Sequence, residues 1–277
     1  MQAVDRRIDL DGLTFHIVER GDPAAPAVLL LHGFNQTAHS WDELSERLAA
    51  EGFRAIALDQ RGHGDTDRPR DGDYRREAMA DDPFRLLDAL GVAQAAVVGM
   101  SMGAVHATLG AVRHPARVRA VVLVDWAPEV EARGVAVIAQ VAPLSWASFD
   151  EAVEAMHRFN PRRSLDNLRA RLSHSLRCDP TDGRWRWKVD AAGLASHPRF
   201  REPPTAMWRA LEQLAAPALV IRGADSDLVT AEAAARVAAT ARGELATVPG
   251  AGHSVPGDNP QAFHALVVPF LHQHAMK

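Results

Sequence analysis

Ala95-Ala96-Val97-Val98-Gly99-Met100-Ser101-Met102-Gly103-Ala104 joins an apolar strand-like run to a helix-like run at residues 104–112 through the pattern Gly-x-Ser-x-Gly. A serine between a buried strand and a helix, flanked by two glycines, is the sequence form of a strained turn that holds the hydroxyl up and exposed. The glycines have a mechanical purpose. Backbone segments pass so close at such a turn that side chains at 99 and 103 would clash, and the serine itself must accept unfavourable φ/ψ angles. The pattern alone is common. The strand before it and the helix after it make it informative.

Working outward, apolar runs suited to buried strands recur at residues 14–19, 27–31, 54–58, 95–98, 120–124, 218–221 and 244–248. Helix-like segments lie between them. Residues 40–50 read as a helix with Ser40 as N-cap and Glu43 three positions on, a capping-box pattern closed by Gly52. Residues 78–90 are helical except at Pro83, where a break or a fresh start is expected. Residues 259–272 form a closing helix with Pro260 in its first turn. Strands alternating with helices predict an α/β fold with a mostly parallel sheet covered on both faces. The alternation stops between about Pro128 and Pro204. That stretch is broken by Pro143, Pro161, Pro180 and Pro198 and carries Trp146, Trp185 and Trp187, half of the six tryptophans. It reads as a mostly helical insertion over the carboxyl edge of the sheet, giving a core of residues 1–127 and 205–277 and a cap of residues 128–204.

The chain has 277 residues, 47% of them hydrophobic, with 31 basic and 35 acidic side chains for a net charge of −4. That composition suits a globular enzyme and gives no reason to expect nucleic acid or an anionic membrane as partner. Its one cysteine, Cys178, excludes an intramolecular disulfide and a thiolate-rich metal site. The first residues lack the apolar core of a signal peptide, and no apolar run approaches a membrane span. A soluble, cytoplasmic protein is the expectation. No histidine–carboxylate spacing suggests a metal, and no glycine-rich phosphate loop suggests a nucleotide, so neither metal nor cofactor is expected.

Serine is a poor nucleophile at neutral pH and needs a base, which in turn needs an orienting acid. His253, in Pro249-Gly250-Ala251-Gly252-His253-Ser254 after the last strand, is the candidate base. For the acid, Asp227 in Arg222-Gly223-Ala224-Asp225-Ser226-Asp227-Leu228 is favoured, with Asp225 as its main rival and Asp125, at the end of another strand, as a third option. All three lie at carboxyl ends of strands, where α/β sheets place their sites. His106, five residues past the serine on the same helix, is carried away from the hydroxyl by the helical turn.

The order Ser101, Asp227, His253 resembles that of the α/β-hydrolase fold superfamily among serine hydrolases. Leu30-Leu31-His32-Gly33-Phe34 resembles that family's oxyanion loop after its third strand. Asp59-Gln60-Arg61-Gly62-His63-Gly64-Asp65-Thr66 resembles the loop after its fourth strand, with threonine where serine is frequent. The resemblance runs from the first strand to the last helix. It implies a mostly parallel eight-stranded sheet flanked by helices with a helical cap, and a capped serine esterase-like hydrolase. It also implies that the amides of Phe34 and Met102 form an oxyanion hole, where one donor supplies about 3 kcal/mol of transition-state stabilisation. His32 is implied to brace the oxyanion loop, and His63 to be structural.

Serine at position 101 argues against the dehalogenases and epoxide hydrolases of this fold, which use aspartate there. Met100 disfavours the carbon–carbon hydrolases, which usually carry asparagine before the serine. The short His-Gly-Phe sets the chain apart from the hormone-sensitive-lipase type. A small-molecule carboxylic ester is the expected substrate, with a lactone or a carbon–carbon bond as alternatives and a hydrolase-fold ligand receptor as a rival. Trp126, Trp146, Trp185, Trp187 and Leu228, with Phe34 and Met102, are the candidate pocket lining. The arginine-rich stretches at residues 160–163 and 169–171 read as solvated helix faces.

Overall fold

Continuous apolar runs of five or six residues become strands buried on both faces, because a strand between two helical layers has no solvent side to spend polar residues on. The computed structural model describes residues 2–131, 145–196 and 203–276. Its main sheet comprises β1 (Val4–Leu10), β2 (Leu13–Arg20), β3 (Ala27–Leu31), β4 (Arg54–Leu58), β5 (Ala95–Met100), β6 (Val118–Val124), β10 (Ala218–Gly223) and β11 (Glu244–Val248). The order is β1-β2-β4-β3-β5-β6-β10-β11. β1 with β2 and β2 with β4 pair antiparallel, and every other pairing is parallel.

Alternate residues of the central strands serve two separate cores. Leu29, Leu31, Ile56, Leu58 and Val97 face one layer with Phe84, Leu87, Ala104, Ala107, Met207, Leu211 and Val237. Val28, Leu30, Ala57 and Val98 face the other with Leu44, Leu48, Phe263, Val267 and Leu271. Each such fully buried leucine or isoleucine contributes about 2 kcal/mol relative to exposure. The helices supplying the first layer include α2 (Arg76–Ala89) and α3 (Met102–Arg113). The second is covered by α1 (Asp42–Ala50) and the last helix, Pro260–Ala275.

Three local expectations change. β1 is an additional strand; its sequence, Val-Asp-Arg-Arg-Ile-Asp-Leu, is polar because it forms an exposed edge. α2 runs through Pro83 without a break, forgoing one backbone hydrogen bond. Ser40 caps nothing: residues Ala38–Trp41 form a 3-10 turn, and α1 starts after Trp41 without a side-chain cap.

Between β6 and the helix Thr205–Gln213, the described part of the insertion contains helices Phe149–Phe159 and Leu165–Ser175. It also contains a small antiparallel sheet that the sequence reading did not include, ordered β7 (Ser145–Trp146), β9 (Trp185–Trp187), β8 (Leu176–Cys178). Tryptophan favours a pleated, half-buried surface, and Trp146, Trp187, Val153, Leu168 and Leu172 close a core of their own. The prolines at 143 and 198 lie outside the described residues. The insertion docks on loops of the sheet: Gly64 N donates to Lys188 O at 2.7 Å, and Asp190 N to Gly62 O at 2.8 Å. Tyr74 Oη donates to Asp190 Oδ2 at 2.8 Å. Among the described residues no helix is long and apolar enough to cross a membrane.

Candidate active site

The parallel strands β3, β5, β6, β10 and β11 all end at one edge, so the loops leaving them converge. Ser101 stands at the junction of β5 and α3 with φ 52° and ψ −114°. Its amide donates to Val124 O at 3.0 Å. The close passage expected of the glycines is present: a Cβ on Gly103 would lie 2.1 Å from Leu31 O, and one on Gly99 would lie 2.3 Å from Gly103 O. Neither contact is physically tolerable, so only glycine lets the serine adopt this left-handed geometry between strand and helix.

His253 leaves the loop after β11, and its Nδ1 lies 2.7 Å from Asp125 Oδ2. Asp125 is the first residue past β6. It is fully buried and holds a positive φ of 46°, a conformation aspartate accepts better than most residues. Its Oδ1 accepts from Gly223 N at 2.9 Å and its Oδ2 from Ser226 Oγ at 2.7 Å. A buried carboxylate is tolerable only when paired and hydrogen-bonded, and this one is both.

The structure pairs His253 with Asp125 and not with Asp227, the aspartate favoured from sequence. Asp227 is exposed and makes no hydrogen bond to His253. Asp225 is also exposed and faces Arg162 Nη2 at 3.4 Å. The β10 loop does take part, through the Gly223 amide and the Ser226 hydroxyl. Ser226 was missed because a hydroxyl between two aspartates gives no sign of its direction.

Ser101 and His253 line one cavity of about 700 Å³. No direct hydrogen bond joins them; nucleophile–base contacts of a free site are often long and tighten with substrate. Gly33 and Phe34 lie on the same wall, and a Cβ on Gly33 would stand 3.5 Å from Ser101 Cβ. The Gly33 amide is taken by Gln36 Oε1 at 2.9 Å. Among the described residues no acceptor takes the Phe34 amide. Met102 opens α3, so its amide belongs to the unpaired donors of a first helical turn. His32 is fully buried: Nδ1 meets Gly33 O at 2.7 Å, and Nε2 accepts from Gln60 N at 3.1 Å. Burial pushes its pKa down, against the pull of Asp59 and the Gly33 carbonyl. His106 Nδ1 is engaged with Gln60 Oε1, and His63 is fully buried.

Of the residues expected to line the pocket, Phe34, Trp187 and Leu228 do. Trp126 is buried in the core beneath. Trp146 packs edge-on to Trp187 with centroids 5.5 Å apart, and Trp185 lies against Phe149 at 5.1 Å; neither reaches the cavity. Met156, Phe159, Leu168 and Leu172 supply apolar wall in their place.

Away from the cavity, two groups, Asp5–His16–His39 and His16–Asp59–Asp65, bring ligand-type atoms together. His16 Nδ1 meets Asp59 Oδ2 at 2.8 Å and Nε2 meets Asp5 Oδ1 at 3.2 Å. They act as an ion-pair brace between β1, β2 and the loop after β4.

The family model for the alpha/beta hydrolase fold matches residues 26–260. A 2-(acetamidomethylene)succinate hydrolase of Mesorhizobium japonicum is 31% identical over 97% of this chain and 95% of its own length. A crystal structure of E-2-(acetamidomethylene)succinate hydrolase superposes with a TM-score of 0.88 at 28% identity, covering 98% of this chain and 100% of that one. An esterase of Mycobacterium tuberculosis is 32% identical over 88% of this chain and 82% of its own length.

Proposed function

The chain belongs to the α/β-hydrolase fold family, and from that premise we propose that it is a serine hydrolase of carboxylic esters working through an acyl-enzyme, with Ser101, His253 and Asp125 as its triad. The observation that carries the proposal is the 2.7 Å contact between His253 Nδ1 and the buried Asp125 carboxylate, with His253 and Ser101 lining the same cavity.

Asp125 fixes the proton on Nδ1 and so leaves the Nε2 lone pair free to act as base. Nε2 takes the Ser101 proton as Oγ attacks the ester carbonyl. The carbonyl oxygen becomes an oxyanion, held by the amides of Phe34 and Met102 and by the positive end of α3. Nε2 then protonates the departing alkoxide, and the C–O bond breaks to leave the acyl group on Ser101. Water enters, gives its proton to Nε2, and releases the carboxylic acid by the same steps in reverse.

An amide is the second reading, favoured by the likeness to a 2-(acetamidomethylene)succinate hydrolase over nearly the whole chain. The same triad serves, with nitrogen as the leaving atom. The test is a p-nitrophenyl ester series from acetate to long chains with wild type and Ser101→Ala side by side, together with labelling by a fluorophosphonate. Turnover and labelling confined to wild type are expected. Equal turnover in both proteins would overturn the serine assignment. Labelling without turnover would move the substrate to amides, lactones or carbon–carbon bonds, or favour a ligand receptor.

A further inference from the structure

Four arginines of the insertion, Arg158, Arg162, Arg163 and Arg171, line the cavity that holds Ser101 and His253. Of residues 160–163 and 169–171, expected on solvated faces, Arg169 does lie on the exterior, where it pairs with Asp150. Arg162 is half exposed and reaches Asp225. Arg163 and Arg171 differ. On helix Leu165–Ser175, Leu168, Arg171, Leu172 and Ser175 share one face by their three- and four-residue spacing, and all four line the cavity. Arg163 lies so close to the Gly257 backbone that a Cβ there would stand 3.0 Å from Cζ.

Among the described residues neither guanidinium has a carboxylate within ion-pair distance. Arg163 spends Nε and Nη2 on the neutral amide oxygen of Asn167, at 2.9 and 2.5 Å. The nearby carboxylates are engaged elsewhere. Glu43 Oε1 accepts from Asn167 Nδ2 at 3.1 Å, and Asp258 accepts from Asn160 Nδ2 at 2.7 Å and Gly252 N at 3.0 Å. Burial pushes Arg163 down to about 9, the charge of Arg171 adding to it and Asp258 and Glu43 opposing it. Burial pushes Arg171 down as well, opposed by Glu43, Asp42 and Asp258. Two neighbouring half-buried cations at a cavity wall with no ion-pair partner are costly unless a ligand supplies one.

We propose that Arg163 and Arg171 form a subsite for a carboxylate of the substrate, so that the hydrolase acts on acyl compounds carrying a free carboxylate in addition to the bond it cleaves. The proposal rests on the reading of Ser101 as nucleophile in the same cavity. The planar guanidinium fork of Arg171 matches a carboxylate bidentately, while Arg163, its Nε and Nη2 held by Asn167, adds charge beside it. The charge count selects the carboxylate over a phosphate dianion: four arginines and three aspartates line the cavity, a formal excess of one positive charge.

The test is calorimetric titration of the full-length protein with glutarate, adipate and inorganic phosphate at matched ionic strength, repeated on Arg171→Gln and Arg163→Gln. A dicarboxylate is expected to bind wild type in preference to phosphate, and each substitution is expected to weaken it at least tenfold. Arg171→Lys, which keeps the charge without the fork, is expected to bind at an intermediate level and guards against misfolding as the cause. The ratio of kcat/KM for p-nitrophenyl hydrogen adipate over p-nitrophenyl hexanoate should fall at least tenfold in either glutamine variant. Dicarboxylate binding no stronger than chloride, or unchanged in the variants, would overturn the subsite, as would tighter binding of phosphate. Because binding is read without turnover, failure of the serine mechanism would appear separately, in the fluorophosphonate labelling.

Discussion

The loops after β6 and β10 both present aspartates at the carboxyl edge of the sheet, and His253 takes its partner from the first. Asp125 is fully buried at the end of its strand and is held by three hydrogen bonds. Asp225 and Asp227 sit in an exposed turn. The contrast shows what orienting an imidazole requires. A carboxylate in water gains little from an imidazole, because screening and side-chain entropy consume the attraction. A dry carboxylate fixed by donors keeps one geometry and loses nothing by holding it. The β10 loop contributes the donors, Gly223 N and Ser226 Oγ, that fix the Asp125 carboxylate of its neighbour.

Substitutions can break this comparison, the largest expected effect first. Ser101→Ala should lower kcat by about 10⁵-fold or more with the fold intact, read by ester hydrolysis and circular dichroism. Asp125→Asn should cost about 10⁴-fold in kcat, because the amide favours the wrong imidazole tautomer. Gly223→Ala should destabilise the protein by about 3 kcal/mol in denaturant unfolding. Its Cβ would stand 2.2 Å from Gly252 O and would push the His253 loop off β10. Ser226→Ala removes one hydrogen bond to a charged acceptor, worth about 1.5 kcal/mol, and should lower kcat roughly tenfold. Asp227→Asn should change kcat by less than about threefold, since an exposed carboxylate that touches neither His253 nor Asp125 has little to lose.

The core was legible because its signals are local. Alternation of apolar runs and helices set the parallel sheet, and Gly99 and Gly103 set the turn around Ser101, since a Cβ at either glycine would clash with backbone. β1 escaped because an exposed edge strand carries no apolar run. The ranking of Asp227 over Asp225 and Asp125 does not match the pairing seen at His253, because strand-end aspartates look alike in sequence and only the packing of β6 against β10 decides which is dry. The expected tryptophan pocket failed in part for a related reason. Trp146 and Trp185 are consumed in holding the small sheet of the insertion together. A signal for Arg171 was present: it falls on the same helical face as Leu168 and Leu172, a cation among apolar neighbours.

The most direct measurement is the downfield proton resonance of the His253 imidazole, followed by NMR in wild type, Asp125→Ala and Asp227→Ala. A hydrogen-bonded Nδ1–H is expected in wild type and in Asp227→Ala, and its loss is expected in Asp125→Ala. Retention of that proton in Asp125→Ala, with loss in Asp227→Ala, would contradict the pairing of His253 with Asp125 and return the acid to the β10 loop.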